Sequence, residues 1–213
     1  MNSRTFLILA MVTAASANFA FGGDYPDPPS KTVPLSGPTA AEFLPMTRSE
    51  RFRSYLLGIA NVESIVRSAA SAAIRQAENS PKEWGGGAQG YGYRVGDGYA
   101  QHVIRQTLQY GASAVLHEDN RYFASGQTGF FRRAKYAVAS TFLARHDNGE
   151  RQFAFSRLGS AAGTSFISRI WQPRSATSAG DGAASFGISM GSDVGFNLFR
   201  EFWPGLKRHF RKE

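Results

Sequence analysis

The chain has 213 residues, 42% of them hydrophobic and 19% charged, with a formal net charge of +8. That length fits one domain better than two, and the apolar fraction is too high for wholesale disorder. Zero cysteines exclude disulfides, thiolate nucleophiles and Cys-ligated metals or clusters.

Residues 1–17 read as a secretory signal peptide. Arg4 supplies a short positive start, Phe6 to Val12 an apolar core, and Ala15-Ser16-Ala17 a small-residue cleavage site. The apolar stretch is short for a bilayer span, so cleavage after Ala17 is expected rather than retention as an anchor. Residues 18–46 read as a tether, because six of the nine prolines fall there, a density no helix tolerates. Residues 47–213 then form the domain. Export without cysteine suits a bacterial envelope, in the periplasm or outer envelope and peripheral to a membrane. Outside the cytoplasm, nucleic acid is not an expected partner. A basic chain there suits anionic lipid, an acidic envelope polymer, or simply solubility.

The domain reads as all-α: a compact bundle of about five helices with Gly-rich connections. Thr47-Arg48-Ser49-Glu50 is a capping box that opens the first helix. Phe52, Leu56, Ile59, Val62, Val66, Ala69 and Ala73 recur at helical spacing, and Asn79-Ser80-Pro81 ends the run. Residues 82–98 contain seven glycines and read as a loop, with Trp84, Tyr91 and Tyr93 as anchors. A second helix is expected over about 99–116, ending at His117-Glu118-Asp119-Asn120.

A third helix is expected over about 129–145. Arg132, Arg133 and Lys135 crowd its positive end, a misfit relieved if they meet an anion. Asp147-Asn148-Gly149 is a turn. A fourth helix covers about 152–171. Ser178 caps a fifth, with Asp181 suited to its first turn, and this helix runs to Trp203 before Pro204. No secure strand alternation is visible, although glycine content leaves 182–200 open to a strand reading.

The sharpest pattern is Ala183, Gly187, Gly191 and Gly195, four residues apart. Gly159 and Gly163 repeat it on the fourth helix. On a helix such residues form a groove that admits another backbone. The groove serves either packing inside the bundle or association of the protein with itself. Beyond it, Trp203, Lys207, Arg208, Phe210 and Arg211 place an aromatic face beside a basic one, which suits an anionic surface or a docked terminal helix.

Chemistry is sparse. The four histidines form no metal motif, since His117-Glu118 lacks the second histidine of a zinc helix, and no metal or cofactor is expected. His117, Glu118 and Asp119, beside Arg121 and Tyr122, are the best polar constellation. Read as chemistry, His117 is a base and Glu118 or Asp119 an acid. Read as structure, His117 sits favourably at the negative end of a helix and Asp119 binds Arg121 in a turn. There is no nucleophile elbow and no phosphate-binding lysine loop. Nineteen arginines against five lysines favour bidentate contacts to carboxylate or phosphate, unless they reflect genomic composition. The reading these features support is a non-enzymatic envelope protein that associates with itself or with a membrane surface. The alternatives are a hydrolase of an envelope polymer and a small-ligand binding module built on the aromatic glycine loop.

Overall fold

The computed structural model describes residues 43–210, so the expected signal peptide and nearly all of the expected tether lie outside the described residues. The described chain forms six packed helices and a small antiparallel sheet: α1 (Arg48–Ala60), α2 (Val62–Ala77), α3 (Gly87–Leu116), β1 (Glu118–Asp119), α4 (Phe130–Phe142), β2 (Leu143–His146), β3 (Arg151–Phe153), α5 (Phe155–Ile167) and α6 (Ala179–Phe210). Short 3-10 turns cover Lys82–Trp84, Ser168–Ile170 and Arg174–Ala176. Helix α3 is central and packs on α1, α2 and α5, while α6 packs on α4 and α5.

The capping box at Thr47 forms as its residues predict: Thr47 Oγ1 accepts from the Glu50 amide at 3.3 Å, and Glu50 Oε2 accepts from the Thr47 amide at 2.8 Å. The expected single first helix is divided. Asn61 is extended, and its side chain caps α2 by accepting from the Ser64 amide at 2.7 Å. Helix α6 opens on a second box, Ser178 with Asp181.

The glycine-rich stretch at 82–98 is a correction: from Gly87 it is helix, continuous with the segment expected from Tyr99. Glycine costs about 1 kcal/mol per helical site relative to alanine. Two buried charges offset that cost. Arg94 is fully buried and donates to the Ser80, Pro81 and Gly85 carbonyls and to Gln76 Oε1. Asp97 accepts from Arg75 at 2.6 Å, Trp171 at 2.8 Å, Gln172 at 2.7 Å and Gln101 at 3.0 Å. Gly90 is required for close approach, since a Cβ there would lie 2.4 Å from the Gly85 carbonyl oxygen.

The strands are a second correction to an all-α reading. They order β1-β2-β3, with Asp119 opposite Arg145 and Leu143 opposite Phe153. The Asp147-Asn148-Gly149 turn joins β2 to β3, with Gly149 at φ 84°. The strands replace the end of the expected third helix and the start of the expected fourth. Pro204 lies inside α6, which continues to Phe210.

The interior is unusual in composition. Its buried apolar residues are mostly alanines (Ala72, Ala137, Ala144, Ala154 and Ala161) with Phe123 and Met190. The largest fully buried side chains are Arg94, Glu118, Thr141, Asp119, Ser156 and Ser168. Small residues let the helices approach closely, and polar groups so enclosed require hydrogen-bond partners.

Candidate functional site

The three residues with acid–base potential are held in three different structural roles. His117 is the left-handed cap of α3 (φ 55°), and its side chain, 71% exposed, pairs with Asp147 at 2.9 Å. Glu118 is fully buried. Its carboxylate accepts from the Phe155 amide at 3.0 Å, the Ser156 amide at 2.9 Å and the Ser156 hydroxyl at 2.5 Å. It thereby satisfies the free amides at the positive start of α5, whose own cap residue is Ala154. Asp119 is buried and clamped by Arg121, whose guanidinium donates to Oδ2 at 2.9 and 2.6 Å and to Oδ1 at 3.1 Å and whose backbone amide donates to Oδ1 at 2.9 Å. Neither carboxylate is left facing the imidazole. Among the described residues no group of three His, Asp or Glu is placed to hold a metal ion.

The aromatic residues of the expected glycine loop are likewise on or beside helix. Tyr91 donates to the Ala69 carbonyl at 3.1 Å, and exposed Tyr93 accepts from Gln89 at 3.0 Å.

The small-residue faces divide. Gly163 does admit a neighbour: a Cβ there would come within 3.2 Å of the Leu108 side chain on α3. Gly159 has open space around it. On α6, Ala183, Gly187 and Gly191 are exposed, and among the described residues nothing lies within 4 Å of a Cβ built at Gly187 or Gly191. Gly195 is half-buried. The inward stripe is instead Gly182, Met190, Asn197 and Glu201, about a residue's rotation (100°) away from the stripe seen in the sequence. Gly182 is the close contact, with the Phe166 ring 2.7 Å from a built Cβ. The polar residues turn α6: Asn197 donates to Thr141 Oγ1 at 2.9 Å, and Glu201 gathers donors from elsewhere in the chain.

Glu201 is a hub that sequence reading missed. It accepts from Tyr122 at 2.6 Å, from the Ser125 amide and hydroxyl at 3.1 and 2.5 Å, and from Arg133 Nε at 2.9 Å. Burial works to raise its pKa, but the donors from Ser125, Tyr122 and Arg133 outweigh it and hold the carboxyl below its ordinary value. Burial, with the Glu201 carboxylate beside it, raises the Tyr122 hydroxyl well above the ordinary tyrosine range. Arg133, one of the three cations crowding the start of α4, thus meets an anion. Arg132 and Lys135 are exposed.

Those two cations share the outer side of α4 with apolar residues. Phe131 is 85% exposed, and Lys135, Val138 and Phe142 follow it at four, seven and eleven residues, one helical face. At the start of the helix Phe130 stacks on Phe202 of α6, ring centroids 5.1 Å apart. At its end the Phe142 carbonyl accepts from the Ala154 amide, which places exposed Phe153 and Phe155 beside it, their rings 4.9 Å apart. Of the expected C-terminal surface residues, Trp203 is half-buried with its ring 5.0 Å from Phe199. The side chains of Lys207, Arg208 and Phe210, and all of Arg211, lie outside the described residues. Among the described residues no helix is long and apolar enough to cross a membrane.

Comparison with known proteins yields no match: no family model fits the chain, and no curated protein and no solved structure aligns with it significantly.

Proposed function

We propose that this chain is a non-enzymatic envelope protein that docks on an anionic membrane surface through the outer face of α4. The observation that carries this reading is the exposed row Phe131, Val138 and Phe142 interleaved with Arg132 and Lys135. An apolar stripe with cations on its flanks suits the boundary between headgroups and acyl chains. Transferring an exposed Phe from water contributes about 1.5–3 kcal/mol, and a basic residue near an anionic surface about 1 kcal/mol. Two or three of each suffice for reversible attachment. Phe202 of α6 extends this apolar surface by stacking on Phe130 at the start of the same helix. The signal peptide read at residues 1–17 supports an envelope location.

Vesicle flotation tests this. The protein is expected to float with vesicles rich in phosphatidylglycerol, not with pure phosphatidylcholine, and to release in high salt. Phe131→Asp and Lys135→Glu together should lower the bound fraction at least tenfold while leaving circular dichroism unchanged. Unaltered flotation of that folded double variant would overturn the reading.

A second reading, self-association, is favoured by one observation: the Ala183, Gly187 and Gly191 face of α6 is exposed, and no described residue packs against Gly187 or Gly191. A Cβ at Gly191 meets no described atom within 4 Å, so Gly191→Leu should fold. Mass measurement in solution should give a multimer for the natural protein and a smaller species for the variant. A monomer in both cases would reject this second reading.

A further inference from the structure

Four helices each turn one arginine toward the same cavity of about 200 Å³: Arg67 from α2, Arg105 from α3, Arg157 from α5 and Arg200 from α6. Asp193 is the one carboxylate among its described lining residues, and it is engaged by Arg105, which also donates to Ser189 Oγ at 2.8 Å. Arg67 lies over the Phe196 ring, 3.9 Å from its centroid. Arg157 is buried, and its described partners are all backbone carbonyls, those of Asn120 at 2.8 Å, Thr141 at 3.1 Å and Ser140. Exposed Arg200 makes no hydrogen bond or ion pair with a described residue. Arg157 is the buried member of the four; Asp193 and Glu118 offset part of its charge while Arg105 and Arg200 repel it, so an anion brought among the four would relieve an excess of positive charge.

We propose that this cavity binds a phosphate group. Guanidinium forks match the oxygens of phosphate bidentately, and several converging forks offer more donors than the two oxygens of a carboxylate accept. Asn120 also lines the cavity and is held in its wall: Nδ2 donates to Ser156 Oγ at 2.7 Å, and the Ser156 hydroxyl donates to Glu118 at 2.5 Å. The volume is below the roughly 300–1,000 Å³ of pockets for drug-sized ligands, which suits a single phosphate group. The group can come from a free phosphate or from a phosphomonoester lipid headgroup.

The test is calorimetric titration of the full chain with sodium phosphate, against sodium acetate, at constant ionic strength. Saturable phosphate binding is expected, with acetate at least tenfold weaker. Arg200→Gln, which removes no hydrogen bond or ion pair with a described residue, should weaken phosphate at least fivefold. Arg157→Gln should abolish binding, and if it does not fold, Arg200→Gln decides alone. A second arm uses vesicles containing phosphatidic acid. Binding to those vesicles that depends on Arg200, without binding of free phosphate, assigns the site to a lipid headgroup. Binding of neither probe, or binding of both unchanged by Arg200→Gln, overturns the proposal. The folded Phe131→Asp variant should keep its phosphate binding, so failure of membrane docking and failure of this site are separable.

Discussion

At the residue scale, Glu201 ties the 120–129 segment and α4 to α6, with its side chain only 2% exposed. Its pKa is depressed in the fold, so its stabilisation is present above the ordinary carboxylate pKa of about 4.3 and is lost as pH falls through the depressed folded value. Glu201→Gln should cost about 1.5–3 kcal/mol at pH 7, the scale of hydrogen bonds to a charged group. It should also flatten the fall in stability below pH about 4.3, which chemical denaturation at pH 7 and pH 3.5 measures. An equal loss at both pH values would contradict this role. Residues of this kind show how far local sequence reaches. The polar cluster at His117-Glu118-Asp119 is visible as a cluster, and the Asp119–Arg121 pair follows from spacing alone. That Glu118 caps α5, 37 residues ahead, is not visible, because nothing near it in sequence demands that partner. The same holds for Glu201 and Tyr122, 79 residues apart.

At the element scale, caps and turns were legible because their chemistry is local: Thr47 with Glu50, Ser178 with Asp181, and the turn at Gly149. The strands were not, being two to four residues long, too short for alternation to declare itself. The glycine-rich start of α3 reads as a loop in sequence because glycine disfavours helix, a weak preference overridden there by the tertiary bonds of Arg94 and Asp97. Two substitutions test that account. Gly92 is exposed on α3 with nothing within 4 Å of a Cβ, so Gly92→Ala should stabilise by about 0.5–1 kcal/mol. Gly90→Ala drives a Cβ into the Trp84 and Gly85 carbonyls and should destabilise by about 1–3 kcal/mol. Urea denaturation of both variants should give opposite signs, whereas a loop over 87–98 predicts no such contrast. On α6 the glycine spacing alone leaves open whether that stripe faces the bundle or another molecule; Asn197 and Glu201, which have buried partners, claim the inward side.

At the scale of the whole molecule, side chains are partly inverted from the usual arrangement, in which large apolar residues fill the interior. Arg94, Glu118 and Asp119 are enclosed, while Phe130, Phe131, Phe155 and Ile188 are exposed. An alanine and serine interior holds six helices together by close approach and satisfied polar groups. The apolar area left outside is available to lipid or to another protomer. Composition alone announced the basic charge and the aromatic content, but not which side of α4 carries them. The absence of cysteine makes one measurement decisive for docking. Val138→Cys, on the exposed face of α4, and Val115→Cys, at the end of α3, each give a single labelling site for an environment-sensitive fluorophore. With vesicles rich in phosphatidylglycerol, docking through α4 predicts a blue shift at position 138 and none at 115. A label at 138 that keeps its aqueous emission while the protein is carried by the vesicles would contradict it.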